Sequence, residues 1–505
     1  MRTLQPVAIR RQRRLTACAL GTACLLGCLA AALARAAAPT RQVLTYHVDT
    51  RRSGDFVVPA LTWTRARNLH RDPHFHPRIE GHIYAQPLYW SGGPGRAVLL
   101  VATESDTVYA LDARTGRTIW RRALGTPVPL DSLPCGDIDP LGITGTPVID
   151  PRRRALYLDA LVRSGAEGTP RHELFALSLA NGDTLPGWPV DVAAALARRG
   201  VRFDARVQGE RGALAIMGDT LYVPYGGRDG DCGRYHGWVV GVKLGDPAAV
   251  IRWHTRALAG GIWAPGGLSS DGRSLYFATG NTMHATHWGG GEAVIRLPPS
   301  LRFTGTGADF FAPRDWKLLD ERDADLGGVA PLLFDVGSAR YALALGKDGN
   351  AYLLDRRRLG GIGGAVLTAH VSNAQIRTAS AEYLVRAGAM IAFEAPGSDC
   401  PGGVQGDLTV LQLRTGRSPR LTTAWCGAVR GRGAPIVTTT DGRHDPIVWM
   451  LGAEGDERLC GFRGDDGRRL FVSAPLPGLR RFQTLIATPH RLYVAADNAV
   501  FAFSF

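Results

Sequence analysis

The sequence predicts an all-β fold: an eight-bladed β-propeller of four-stranded blades, closed by an N-terminal strand that completes the last blade. Three observations predict it. A short alternating run recurs eight times, at intervals of 45 to 66 residues. Each copy is followed by a second alternating run, the pair is preceded by a third segment, and a fourth usually trails it. The last copy stops at Phe505, directly after its second run and one strand short. Four short strands at a period near 50 residues are the mark of a propeller blade. Strands that alternate have two faces, and stacking blades face to face buries both.

The first runs are VLLVATE at Val98, ALYLDAL at Ala155, TLYVPYG at Thr220, SLYFATG at Ser274 and RYALALG at Arg340. Weaker copies are AMIAFEA at Ala389, PIVWMLG at Pro446 and RLYVAAD at Arg491. The second runs begin with VYALDARTG and end with VFAFSF. Inner segments precede them, as in AQPLYW, TGTPVID, GGVAPLLFD and GAPIVTTT. The fourth segments often carry a tryptophan: Trp120, Trp188, Trp253 and Trp425. A three-stranded eighth blade would leave an open edge and an open ring. The stretch from Leu69 to Ile79, which includes Phe75, is spare and is expected to zip the ring shut. This divides the chain into an export segment at 1–36, an N-terminal extension at 37–68 and one propeller domain at 69–505. Short helices are expected at Asp191–Arg199 and within Asp309–Asp325.

Residues 1–36 read as an export signal. Arg10, Arg11, Arg13 and Arg14 precede an apolar run, and Ala34 and Ala36 offer small residues for cleavage. LLGC at Leu25–Cys28 resembles a lipobox, which would make Cys28 a lipidated first residue, and the paired arginines resemble a twin-arginine signal. The expected location is the periplasm or the extracellular space, with membrane contact only through an N-terminal lipid or anchor. Of eight cysteines, five lie beyond the leader: Cys135, Cys232, Cys400, Cys426 and Cys460. An oxidising compartment permits disulfides. Cys400 with Cys426, in one repeat, is the first expected pair, and Cys135 with Cys232 the second. No C-x-x-C is present, so zinc ribbons, thioredoxin-type chemistry and covalent haem are unsupported.

The formal charge of +14 is mostly arginine, and the leader holds six of those arginines with no acid. The remainder has no basic run, so nucleic-acid binding is not expected, and a monomer is. Nor is there a nucleophile elbow, HExxH, Walker loop or dinucleotide fingerprint.

At VYALDARTGRTIW the pattern A-x-D-x-x-T-G-x-x-x-W resembles the tryptophan-docking motif of PQQ-type, or quinoprotein-type, propellers. Ala110, Asp112, Thr115, Gly116 and Trp120 carry it. GITGTPVID, YHGWVVGV, GGIWAPGG and GKDGNAYLLD also resemble stretches of uncharacterised secreted PQQ-like propeller proteins. The resemblance runs from Tyr46 to Phe505 and implies that the tryptophan of one blade packs on the next. Quinoprotein alcohol dehydrogenases of this fold hold PQQ near a vicinal disulfide over a tryptophan floor, with calcium polarising the quinone and an aspartate as base. This sequence has no Cys-Cys pair; Trp263 is the candidate floor.

First strands line a propeller's axis, so Gln86, Thr144, Thr146, Trp263, Lys347 and Asp348 are the candidate funnel residues for a cofactor or small ligand. No residue is singled out as catalytic and no metal set is assigned. His74 and His76 would share one face of a strand and could chelate zinc or copper, with His70 and His82 nearby, but such alternation also suits the outward positions of a closing strand. His284 with His287, and Asp229 with Asp231, read as loop residues. The leading functional expectation is an exported, non-catalytic binding or scaffold propeller for a protein, glycan or small ligand. The alternatives are a PQQ-dependent, calcium-containing dehydrogenase and a lipoprotein scaffold similar in fold to that of outer-membrane protein assembly.

Overall fold

The computed structural model describes residues 37–92, 96–165, 168–386, 388–416 and 418–505, so the export segment and Cys28 lie outside the described residues. Eight blade sheets, antiparallel among their own core strands, follow one another along the chain, with a separate two-stranded sheet of Leu258–Ala259 and Thr282–Met283. Each of the eight first runs forms the second strand of a sheet, from Val98–Thr103 in blade 1 to Arg491–Ala496 in blade 8. The second runs form the third strands, from Thr107–Asp112 to Ala499–Ser504. Blade 1 is complete with Leu88–Trp90 inside and Thr118–Ala123 outside. Blade 2 departs from the pattern. Its outer position is filled by a bridge at Thr184 and by Val190–Asp191, so Trp188 lies outside any strand. Among the described residues the short α-helices are Trp63–Ala66, Val192–Ala197, capped by Asp191, and Trp316–Arg322.

The alternation in each run sorts its side chains between two seams. In blade 1, Leu99 and Val101 join the core shared with blades 7 and 8, whereas Val98, Leu100 and Ala102 join the core shared with blade 2. In blade 6, Ile391 and Phe393 face blade 5, whereas Met390 and Ala392 face blade 7. This is why VLLVAT is buried at every position although it is only half of an amphipathic pattern. Each leucine or valine so placed contributes about 1.5–3 kcal/mol.

Tryptophans cover the seams from outside. Trp120 donates its indole N–H to the Leu179 carbonyl of blade 2 at 3.2 Å, and Trp425 donates to Gly464 of blade 7 at 3.0 Å. Beneath them lie Gly182 and Gly467, both at φ +73°, where an added Cβ would come within 2.6 Å of the ring. In the D-x-x-T-G turn of blade 1, Asp112 Oδ1 accepts from the Arg114 and Thr115 amides and the Thr115 hydroxyl. Its Gly116 is covered by the backbone of His76 and Pro77 instead of an indole.

Closure is made by the N-terminal segment. His70–Arg71 pairs antiparallel with Phe503 and Ser504 of the last strand. Asp72 then fixes the join: its amide donates to the Ala502 carbonyl at 2.8 Å, and its carboxylate accepts from Arg491 Nε and Ser504 Oγ at 2.8 Å each. Phe75 packs edge-on against Tyr493 at 5.5 Å. Beyond Arg71 the chain turns, so His74 and His76 lie outside any strand, exposed, and do not share a strand face.

Residues 38–505 form one compact unit, and the stretch read as an extension at 37–68 is woven into it. Its backbone visits the inner strands of successive blades. Val43 bridges Tyr89 of blade 1, and the Leu44 carbonyl accepts from Ile149 of blade 2. Thr50, Arg51 and Ser53 carbonyls accept from Ser270, Leu333 and Glu382 of blades 4, 5 and 6. Asp55–Val57 then adds a parallel strand to the inner strand of blade 7. A solitary inner strand has a free row of backbone groups, and this segment satisfies them one blade at a time.

Candidate functional site

The inner face of the ring is built around this N-terminal segment. Tyr46, His47 and Arg52 are buried, with the Tyr46 and His47 rings stacked at 4.4 Å. Arg52 Nη1 donates to Thr45 Oγ1 at 2.7 Å and the Tyr46 carbonyl at 3.0 Å, and Nη2 donates to the carbonyls of Leu268 at 2.7 Å and Leu214 at 3.1 Å. Burial, reinforced by the Arg52 charge, pushes His47 down to about 3, so its imidazole is neutral.

The candidate funnel residues divide among three tasks. Gln86 holds the N-terminal segment, accepting from the His47 amide at 2.9 Å and donating to the Thr45 carbonyl at 3.2 Å. Thr146 in turn holds Gln86, accepting from its amide at 2.9 Å. Asp348 belongs to its own turn, where Asn350 Nδ2 at 2.7 Å and the Tyr352 hydroxyl donate to it. Thr144 and Trp263 line a recess with Glu210, Arg211, Arg228 and Asp229. Lys347 lies beside it, with Nζ 5.3 Å from the centroid of the Trp263 ring. Its ammonium pairs with Asp323 at 3.0 Å and with Asp325. Burial works against that charge, but the two aspartates outweigh it and hold Lys347 above its usual range.

Buried carboxylates that the sequence reading missed include one in this recess, Glu210, and one bonded to its Thr144, Glu104. One Glu104 oxygen accepts from the Gly142 amide at 2.8 Å and the Thr144 hydroxyl at 3.1 Å. Glu210 accepts from the Gly145 amide at 3.0 Å, and Glu292 from the Leu326 amide at 2.7 Å. Glu104 and Glu292 each tie one blade to the start of the next; Glu210 ties the chain entering blade 3 back to blade 2. In all three the other oxygen is buried without a partner, as are both oxygens of Asp106. Burial pushes Glu104 up to about 7 and Asp106 up to about 9, and it raises Glu210 and Glu292 as well. The signal for Glu104 was present: it ends VLLVATE, where SLYFATG and RYALALG end in glycine.

Disulfides join Cys135 to Cys232 and Cys400 to Cys426; Cys460 is a buried free thiol. The first ties the loop of Gly136 and Asp137 to that of Asp229, both at the recess. Asp137 is also paired with Arg211, at 3.5 Å, and with Arg481 of the last blade.

No protein-family model and no curated protein matches the sequence. Solved structures match the fold. Quinohemoprotein alcohol dehydrogenase from Comamonas testosteroni superposes with a TM-score of 0.61 at 12% identity, over 93% of this chain and 81% of that one. A europium-containing methanol dehydrogenase gives 0.60 at 14% identity, over 90% and 89%. BamB from Moraxella catarrhalis gives 0.46 at 16% identity, over 86% and 96%, which carries no argument. The class is therefore a closed, eight-bladed, all-β propeller. Within that class its architecture is similar to that of the quinohemoprotein alcohol dehydrogenase and the methanol dehydrogenase. The likeness is one of fold.

The recess does not fit the group that this architecture brings to mind. Calcium asks for several free oxygen ligands. Among the described residues no group of three or more acidic, histidine or cysteine side chains converges to hold a metal. Asp325 is neutralised by Lys347, and the buried guanidinium of Arg228 lines the wall. A cavity of about 40 Å³ has room for a few waters, not for a tricyclic quinone.

Proposed function

We propose that this protein is an exported, non-catalytic propeller that binds a protein, glycan or small ligand, with the recess-bearing face as its contact surface. The observation that carries the reading is the ion pairing of the funnel. Lys347 is held by Asp325 and Asp323, and Asp137 by Arg211 and Arg481, which leaves neither a free base nor a free cation ligand on these groups. The N-terminal segment also rigidifies the ring from inside, as suits a scaffold that presents loops. Export is supported by the leader and by two disulfides, which need an oxidising compartment.

One observation favours a second reading, a PQQ-dependent dehydrogenase. Trp263 lies beneath Lys347 at the recess of a fold shared with quinoprotein dehydrogenases. Purified protein incubated with PQQ and calcium separates the two. The expected outcome is no quinone absorbance retained after desalting and no dye reduction with alcohols or sugars. Retained cofactor with turnover would replace the scaffold reading by the enzyme.

A further inference from the structure

A second recess, far roomier than the first, opens between blades 3 and 4. Its volume is about 540 Å³, within the size range of small-ligand sites. The outer strand of blade 3, Val250–His254, supplies one wall. Blade 4 supplies the other through Trp288, Phe303 and Phe310.

The lining is aromatic and basic. Trp288 stacks on Phe310 with centroids 4.0 Å apart and planes within 16°. Its indole N–H donates to the Gly291 carbonyl at 2.8 Å, so the ring is fixed before any ligand arrives. Phe303 stands 6.1 Å from Trp253 and 6.3 Å from Phe310. Trp288 and Phe303 are only half-buried. Arg252 and Arg256 are exposed, and His254 is partly so. No carboxylate lines the recess among the described residues. Asp309, which binds the Thr304 amide of the lining at 3.2 Å, is itself paired with Arg296 at 3.1 Å. Fixed rings beside guanidiniums that have no carboxylate partner among the described residues form a surface awaiting a flat apolar face and a negative charge.

We propose that this recess binds an acidic saccharide of the uronate kind. The apolar face of a pyranose lies against the Trp288 and Phe303 rings, and its carboxylate is met by Arg252 and Arg256. Arginine keeps its charge at any physiological pH and matches carboxylate geometry with paired donors. Aromatic rings bring contact area with little entropy to lose, the more so when they are already pinned. This site is separate from the funnel recess and does not depend on how that recess is read.

Calorimetric titration with oligogalacturonate, against a neutral malto-oligosaccharide of equal length, tests the proposal. Wild-type protein is expected to bind the acidic oligomer saturably and the neutral one at least about tenfold more weakly, with affinity falling as salt rises. The double variant Arg252→Glu and Arg256→Glu is expected to lose about tenfold or more while keeping the wild-type unfolding transition, because both side chains are exposed. Trp288→Ala should lose binding as well; if it fails to fold, the arginine pair decides alone. A control pair elsewhere on the surface, Arg117→Glu and Arg199→Glu, should bind as wild type does. No saturable binding by wild type, equal binding of the neutral oligomer, or an equal loss in the control pair would each overturn the assignment.

Discussion

At the scale of single residues, Arg52 does the most. It is 1% exposed, sits at φ +63°, and gathers four acceptors from three separate parts of the chain. Burial lowers its guanidinium to about 10, which still leaves it charged at neutral pH. Its planar fork matters more than its charge, since one ammonium cannot face four oxygens in two directions. Arg52→Met should therefore destabilise the fold by about 3–5 kcal/mol, because the buried carbonyls of Leu214 and Leu268 lose their donor. Arg52→Lys should recover only part of this. Denaturant midpoints of the three proteins check the order; a methionine variant as stable as wild type would remove the guanidinium from the account. Nothing in TRRSG marks which arginine is buried or that either is, since its partners lie 162 and 216 residues away. Trp120 and Asp112 were legible because their partners lie within the repeat or at a fixed offset in the next one.

At the scale of elements, closure rests on a strand of only two residues, so side chains must supply what the ladder lacks. Asp72 is the principal one. Burial works against its negative charge, yet the His74 amide, Ser504 and Arg491 together hold its carboxyl below the usual carboxylate range. A depressed carboxylate contributes stability above its unfolded pKa and loses it as pH falls through the folded value. The join should thus weaken only in acid below about pH 4. Asp72→Ala should cost about 2–4 kcal/mol, with Arg491 left lacking its carboxylate partner. Hydrogen exchange should show the loss first at Phe503 and Ser504, and amides there as protected as in wild type would refute the latch. The sequence made this closing segment legible through arithmetic, by the strand missing after VFAFSF. The inner thread from Val43 to Gly54 was not legible, because its backbone bonds reach at least five different blades and leave no period to read.

For the whole molecule, buried carboxyl groups set the response to pH. Glu104, Asp106, Glu210, Glu292 and Glu394 are all buried, and desolvation raises every one of them. A raised acid keeps its proton in the folded state at a pH where the unfolded chain has released it. The folded state then binds more protons, and stability falls as pH rises. Each group acts from about pH 4, where the unfolded chain ionises, up to its folded value, with a slope of at most ~1.4 kcal/mol per pH unit. For Glu104 that window closes at about 7 and for Asp106 at about 9. The depressed carboxylates Asp72, Asp112 and Asp355 act in the opposite sense but only in stronger acid. Denaturant midpoints of the oxidised protein should therefore be highest near pH 4 and decline towards pH 9. Asp106→Asn removes a group whose window extends to about 9. It should leave the stability at pH 4 nearly unchanged and raise it progressively above that, by at most ~1.4 kcal/mol per pH unit, until the gain levels off at about pH 9. Glu104→Gln should act earlier, with its gain complete near neutrality. A wild-type midpoint that climbs from pH 5 to pH 9, or an Asp106→Asn profile parallel to wild type, would mean that these carboxyls are ionised and satisfied in solution.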